Sequence, residues 1–161
     1  MDPILRDVQD DDADQLIELI RGCWSEYPGI VLEVEREMPE LRAIATAYRK
    51  WGGRFWVVER GGRVVGSVGV SPTKETVMEL RKLYVAKEER RHGLGTRLCQ
   101  LVESEALARG ASYLELWSDT KFKDAHGLYE RLGYVRGPET RELNDLSGTV
   151  EYYFRKELAG K

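Results

Sequence analysis

The chain has 161 residues, of which 42% are hydrophobic and 33% charged, and its formal net charge is −3. This length and balance are typical of one folded domain, so we predict a single domain over residues 1–161. The net negative charge argues against nucleic acid as the main partner, because phosphate backbones select basic surfaces.

Targeting and membrane signals are weak throughout the sequence. No apolar run approaches the roughly 20 residues of a membrane-spanning helix. The N-terminal residues lack the basic start and the apolar stretch of a signal peptide. We therefore expect a cytoplasmic protein without membrane association.

The elements predicted in the first half are bounded by turn and cap residues. They are a strand (4–8), a helix that begins at Ala13 and is ended by Pro28-Gly29, a second helix with Pro39 in its first turn, and a hairpin of two strands (55–60 and 63–70). Apolar residues recur at helical spacing in both helices. Gly61-Gly62 forms the hairpin turn, and Pro72 is expected to end the second hairpin strand.

The second half alternates strands with helices. Its predicted elements are a strand (77–85), a long helix that begins near Gly93 and ends at Gly110, a strand (113–117), a short helix capped by Gly133, and two strands (134–135 and 150–154). Alternation of this kind predicts an α/β fold with helices packed on a mixed sheet. The connection through the long helix should be a right-handed crossover.

The cysteines and histidines point to no metal site. Cys23 and Cys99 fall on the apolar stripes of predicted helices, so we expect two buried free thiols. His92 and His126 lie at no ligand spacing with a cysteine or with each other, and a metal is therefore not predicted. We expect His126 to be an ordinary surface residue.

The most informative segment is the loop Arg90-Arg91-His92-Gly93-Leu94-Gly95, which joins a strand to the long helix. A helix start presents unpaired backbone N–H groups and a positive dipole end, and glycine lets an anion approach closely. The arginines would add charge-assisted hydrogen bonds. The loop predicts a pyrophosphate cradle, with a solvated basic loop as the alternative.

Three segments together resemble the GNAT acetyltransferase superfamily. Arg90-x-x-Gly93-x-Gly95 is similar to the family's Arg/Gln-x-x-Gly-x-Gly/Ala motif, and residues 128–134 (Leu-Tyr-Glu-Arg-Leu-Gly-Tyr) to its Leu-Tyr-Glu-x-x-Gly-Phe/Tyr segment. Residues 79–85 resemble its fourth strand. The resemblance implies a GNAT-like fold: a mixed central sheet of about six or seven strands, about four flanking helices, and splayed fourth and fifth strands.

The resemblance also implies where acetyl-CoA would bind as co-substrate. The pantetheine arm would lie along Leu83, Tyr84 and Val85, and a backbone N–H near Leu83 would polarise the acetyl carbonyl. The pyrophosphate would meet the loop amides from Arg91 to Thr96. The implied cofactor-binding residues are Leu83, Tyr84, Val85, Arg90, Arg91, His92, Gly93, Leu94, Gly95, Thr96, Phe122 and Ala125. Phe122 stands where many members have asparagine, so contacts from this helix depart from the family pattern.

Two residues are implied as catalytic. Tyr129 matches the family's general acid, which protonates the departing thiolate; its alternative is a plain core tyrosine. Glu79 is the candidate base, and burial on a strand would raise its pKa toward neutrality. The alternative for Glu79 is a surface residue paired with Arg81 or Lys82. Glu115 and Asp119 are other candidates for the base.

The implied function is N-acetyl transfer from acetyl-CoA to a primary amine, by direct transfer. Nothing in the sequence identifies that amine, and we expect a small molecule because the chain has no accessory region for reading a protein. The expected substrate pocket combines Trp24, Tyr27, Trp51 and residues 33–40 and 140–149. The acidic residues of 33–40 would attract a cationic amine, or form a solvated face.

Two other functions stay open. One is a catalytically silent CoA-binding or regulatory module of the same fold, since fold does not determine function. The other is an unrelated α/β anion-binding domain. Many members of the family form dimers, and an exposed last strand over residues 150–154 would suit a homodimer.

Overall fold

A computed structural model describes residues 2–158. These residues form one seven-stranded sheet in the order β1-β2-β3-β4-β5-β7-β6. The strands are β1 (Ile4–Asp7), β2 (Arg54–Arg60), β3 (Arg63–Lys74), β4 (Val77–Val85), β5 (Tyr113–Asp119), β6 (Val135–Glu142) and β7 (Val150–Glu157). Neighbouring strands are antiparallel except β4 and β5, which are parallel and joined through a helix.

Helices cover both faces of this sheet. Within the described residues they are α1 (Ala13–Trp24), the single turn α2 (Val34–Glu37), α3 (Ile44–Lys50), α4 (Leu94–Ala108) and α5 (Lys123–Arg131). A Cβ on Gly66 of β3 would meet Leu94 and Leu98 of α4, whereas one on Gly69 would meet Tyr48 of α3. Residues three positions apart on a strand point to opposite faces of the sheet, so α3 and α4 lie on opposite sides of it. The predicted α/β fold is confirmed.

The fourth and fifth strands splay apart, as predicted. Their register holds for three pairs, which end at Glu79 opposite Glu115. Beyond that point β4 continues to Val85 and β5 to Asp119 without pairing. The edge of β4 over residues 80–85 is therefore open toward the gap.

A β-bulge in β4 accompanies this separation. Ser67 of β3 pairs with Tyr84 and Gly69 with Arg81, so two residues of β4, Lys82 and Leu83, oppose one residue of β3. Lys82 has a φ of 54°. Its carbonyl accepts a hydrogen bond of 2.9 Å from the Ser67 hydroxyl. Such a bulge bends the strand and strengthens its twist, which turns β4 away from β5.

Two predictions about strand ends were wrong. Pro72 does not end β3, which continues to Lys74. The last pair between β2 and β3 is Arg54–Val70, so Pro72 lies beyond it and its missing N–H removes no hydrogen bond to β2. The last strand is not exposed either. β7 lies between β5 and β6, and Phe154 is fully buried. The edge strands are β1 and β6, so a homodimer stays a prediction without its original support.

Cys23 and Cys99 are buried free thiols, as predicted. Burial raises the pKa of the Cys99 thiol to about 12. Among the helices of residues 2–158, none is long and apolar enough to cross a membrane.

Candidate active site

The gap between β4 and β5 holds a cavity of about 320 Å³. Its lining includes five residues that the sequence predicted for the site, contributed by β4 and by α5 with its N-terminal flank: Leu83, Tyr84, Phe122, Ala125 and Tyr129. These residues are up to 46 positions apart, and the splay of the strands brings them to one space. The cavity is therefore a property of the sheet's topology.

Tyr129 projects from α5 into this cavity. Its ring packs against Tyr134 and Phe154, at centroid distances of 5.7 and 5.6 Å, and the residue is 5% exposed. No hydrogen bond to its hydroxyl is found within the described residues. Burial raises the pKa of Tyr129 well above 10.0. The tyrosine is thus a core residue that keeps a protonated hydroxyl at the cavity wall.

His126 anchors α5, and our expectation of a surface histidine was wrong. The residue is 8% exposed. Its Nε2 lies 3.0 Å from the carbonyl oxygen of Asp119 and 3.1 Å from the hydroxyl of Ser118. Burial lowers the pKa of this imidazole, so its neutral form is favoured. The contact holds the end of β5 against the helix that carries Tyr129.

The loop before α4 has the geometry of an anion-binding nest. Arg91 and Gly93 both have left-handed backbone conformations, with φ of 69° and 77°. None of the six backbone N–H groups of residues 91–96 donates to an acceptor in the described part of the chain; the first helical bond comes from Arg97 to Gly93. Successive free N–H groups at the positive end of a 15-residue helix attract an anion.

Two glycines make room at this nest in different ways. A Cβ on Gly93 would point into open space, next to the free N–H groups. A Cβ on Gly95 would lie 3.1 Å from Leu128 of α5, so this glycine sets the close approach of the two helices. The nest and Tyr129 are consequently held in one rigid arrangement.

A family model described as the acetyltransferase (GNAT) family matches residues 13–134, most of the chain. The chain belongs to the GNAT acetyltransferase family. The predicted family is confirmed.

Individual relatives agree. N-acetyltransferase camello of Xenopus tropicalis is 34% identical over 118 residues, which are 71% of this chain and 53% of that protein. N-acetyltransferase YjgM of Escherichia coli is 29% identical over 137 residues, 82% and 81% of the two chains. This GNAT chain thus spans about half the length of the camello relative.

Solved structures share the fold. An acetyltransferase of the GNAT family from Staphylococcus aureus has a TM-score of 0.84 at 20% identity, covering 98% of this chain and 99% of that one. The PaiA N-acetyltransferase of Thermoplasma acidophilum, solved in complex with coenzyme A, has a TM-score of 0.75 at 17% identity, with coverages of 98% and 99%. The GNAT-like fold is confirmed.

The Arg90 side chain of this GNAT domain contacts other parts of the chain. Its guanidinium donates to both carboxylate oxygens of Glu26 at 2.7 and 2.8 Å, and to the carbonyl oxygen of Val85 at 3.0 Å. These contacts tie the loop to the turn after α1 and to the end of β4. The contact of the Arg90 side chain with the pyrophosphate stays a prediction, and Arg91 and His92 are exposed beside the nest.

The three candidate bases have different surroundings. Glu79 lies where β4 and β5 still pair, outside the cavity lining, and burial raises its pKa, with Glu115 and Glu151 adding to the effect. Glu115 is engaged, because Tyr153 donates to it at 2.7 Å and Thr73 at 3.1 Å. Asp119 lines the cavity and accepts the backbone N–H of Lys121 at 2.9 Å.

The expected substrate pocket is assembled in part. Trp24 lines the cavity, and its indole N–H donates to the Tyr84 hydroxyl at 3.1 Å. Tyr27 packs on Phe122, with ring centroids 5.0 Å apart. Trp51 lies outside the lining, against Tyr48 and Arg81.

Sequence reasoning missed Lys82 and Glu151, which also line the cavity. Lys82 is buried in an ion pair of 2.6 Å with Glu40. Glu151 lines the cavity because β7 pairs with β5, which places Glu151 opposite Asp119. That pairing joins residues 32 positions apart, and no local pattern indicates it.

Proposed function

We propose that this protein is an N-acetyltransferase that moves the acetyl group of acetyl-CoA to the primary amine of a small molecule by direct transfer. The observation that carries the proposal is one cavity that combines an open β4 edge with an unpartnered tyrosine hydroxyl. Family membership and the coenzyme A complex of a structural neighbour support the same chemistry.

The residues present fit acetyl-CoA, which supplies an activated acetyl thioester when bound. The free N–H groups from Arg91 to Thr96 would hold the pyrophosphate, and the open space beside Gly93 admits it. Backbone groups of Leu83, Tyr84 and Val85 would pair with the pantetheine amides like an added strand. Phe122 and Ala125 would contact the arm from the opposite side of the cavity.

Tyr129 acts in this proposal as the general acid. Its protonated hydroxyl lines the cavity and would donate to the sulfur of the departing thiolate. Glu79 acts as the base, and because it lies outside the lining, it would take the proton of the amine through water. A backbone N–H near Leu83, in the bulge, would stabilise charge on the acetyl oxygen.

A small acceptor suits the space available. The cavity of about 320 Å³ is at the lower end of the range for ligand pockets, and residues 36–38, 143–145 and Thr149 line its outer wall. Amine and thioester would be held together there, which replaces a bimolecular encounter by a positioned reaction.

The test is acetyl-CoA binding measured by calorimetry on the wild type and on Gly93→Glu. Gly110→Glu is a matched control, because Gly110 has a φ of 78°, open space around it and the same exposure, but follows the other end of α4. Both variants carry the left-handed strain of about 1–2 kcal/mol. Only Gly93→Glu places a carboxylate in the nest, so it alone should lose binding.

The outcomes separate the functions. Binding lost in Gly93→Glu and kept in Gly110→Glu, followed by free-thiol release with amines, supports the transferase. Binding without turnover on any amine would favour a catalytically silent CoA-binding module. No binding by the wild type would refute the proposal.

A further inference from the structure

The acidic segment before α3 contains one carboxylate that differs from the rest. Three of its four glutamates have a cationic partner: Glu33 with Arg36 at 3.7 Å, Glu35 with Arg42 at 3.0 Å, and Glu40 with Lys82 at 2.6 Å. The fourth, Glu37, lines the cavity of the proposed active site. The segment is therefore not a solvated face throughout.

Both carboxylate oxygens of Glu37 are buried, and no donor in residues 2–158 reaches them with hydrogen-bond geometry. Burial is the main cause that raises the pKa of Glu37, and the charge of Asp145 adds to it. The backbone N–H of Glu33 and the charge of Arg36 offset this only in part. A buried carboxylate without a partner is costly, which indicates a cationic partner from outside the chain.

Asp145 belongs to the same wall of the cavity, and the wall is held in place. The Val31 backbone N–H donates to the Ser147 hydroxyl at 2.9 Å, which joins the segment before α2 to the loop between β6 and β7. Asp145 accepts from the Thr149 backbone N–H at 2.9 Å and from its hydroxyl at 2.6 Å. Glu37 and Asp145 thus form a preformed anionic wall.

A second pair of carboxylates lines the cavity at the strand gap. Asp119 and Glu151 are register partners on β5 and β7. Glu151 accepts from Arg141 at 2.7 Å. Glu37 is the last residue of α2 and Asp145 belongs to the loop between β6 and β7, whereas Asp119 ends β5 and Glu151 lies near the start of β7. The two pairs therefore stand on different elements that line the cavity.

Within residues 2–158, the cations that line the cavity form no ion pair with Glu37 or Asp145. Lys82 lines the cavity, but its ammonium is paired with Glu40. Arg36 also lines it, yet its side chain is 53% exposed and 3.7 Å from Glu33. A ligand that brings one positive charge to the strand gap and another to the wall would complement both pairs.

We propose that the acceptor is a small aliphatic diamine: one amine is acetylated at the strand gap, and the distal ammonium binds Glu37 and Asp145. This inference rests on the proposed function and names its substrate class. A charge-assisted hydrogen bond in a confined site typically changes affinity about tenfold or more. The distal ammonium should therefore lower KM relative to a monoamine of the same length.

The experiment compares kcat/KM by free-thiol release for unbranched diamines, from 1,3-diaminopropane to 1,6-diaminohexane, with the matched alkylamines. Wild type, Glu37→Gln and Glu35→Gln are assayed. Glu35 is the control, because it lies on the same short helix, outside the lining, paired with Arg42. We expect the best diamine to exceed its alkylamine by about tenfold or more in wild type and Glu35→Gln, and by less than about threefold in Glu37→Gln.

The change in Glu37→Gln should appear in KM for the diamine and should exceed any change for the alkylamine, which has no distal ammonium. Thermal unfolding checks that the variant folds, as expected when a buried unpaired charge is removed. Equal rates for diamines and alkylamines, a preference unchanged in Glu37→Gln, or no diamine turnover overturns the inference while acetyl-CoA binding stands. Absence of acetyl-CoA binding overturns the proposed function itself.

Discussion

Replacing Tyr129 by Phe tests the proposed acid with little structural disturbance. The ring stays in its contacts with Tyr134 and Phe154, so no cavity is created. The hydroxyl lacks a hydrogen-bond partner in the described residues, so its removal should change the free energy of unfolding by less than about 1 kcal/mol. A general acid typically contributes about 10²–10⁴-fold, so kcat should fall about a hundredfold or more, equivalent to about 2.7 kcal/mol of barrier.

Tyr134→Phe is the matched control. The Tyr134 hydroxyl is also buried and has no hydrogen-bond partner in the described part of the chain, but it lies outside the cavity lining. Steady-state rates by free-thiol release and urea unfolding would be measured on both variants. Because burial keeps Tyr129 protonated, the loss should be equal between about pH 6 and 9. A fall in kcat of less than about threefold, or equal falls in both variants, would refute the reasoning.

Three further predictions concern buried titratable groups. Burial raises the pKa of Glu79 above 4.5, so wild-type kcat/KM should rise with pH through that raised pKa. Glu79→Gln should remove this rise, and Glu115→Gln should keep it. A rise in kcat/KM that persists in Glu79→Gln excludes Glu79 as the base. Glu40→Gln leaves the Lys82 ammonium buried without a charged partner and should cost about 3 kcal/mol in urea unfolding. Burial lowers the pKa of Lys82, so the native state binds fewer protons than the unfolded state. Part of the stability that Glu40→Gln loses should therefore be regained as pH rises toward 10.5. An unchanged urea midpoint in Glu40→Gln would contradict this prediction. Burial also lowers the pKa of His126 below 6.5, so wild-type stability should fall as pH drops through 6.5. If the stability of His126→Gln has the same dependence on pH, another group is responsible.

The parts of the site that the sequence predicted depend on local chemistry. A strand end, a glycine-containing loop and a helix start follow each other within 15 residues around Gly93, and free N–H groups are a property of any helix start. Tyr129 likewise follows from one helix and its glycine cap. The order of strands and helices followed from short-range periodicity, and the structure confirms it.

The wrong expectations involve partners that are distant in the sequence. His126 was expected on the surface, because its partners Ser118 and Asp119 belong to the preceding strand. The contact of Arg90 with an anion stays a prediction, and Glu26, 64 residues earlier, engages its guanidinium in this structure. Similarly, β7 was expected at an edge, since nothing in its own residues indicates that β6 pairs outside it.

By itself, the sequence determined the family, the succession of elements, the nest and the position of Tyr129 on α5, because each depends on turn, cap and helix preferences within a few residues. The tertiary structure alone decided which charges meet in the cavity. Glu37 and Glu35 are two positions apart with the same side chain, yet within residues 2–158 one carboxylate is buried without a partner and the other is exposed and paired. Burial and pairing depend on the loop from β6 to β7 and on the splay of β4 from β5, which form only when distant strands pair.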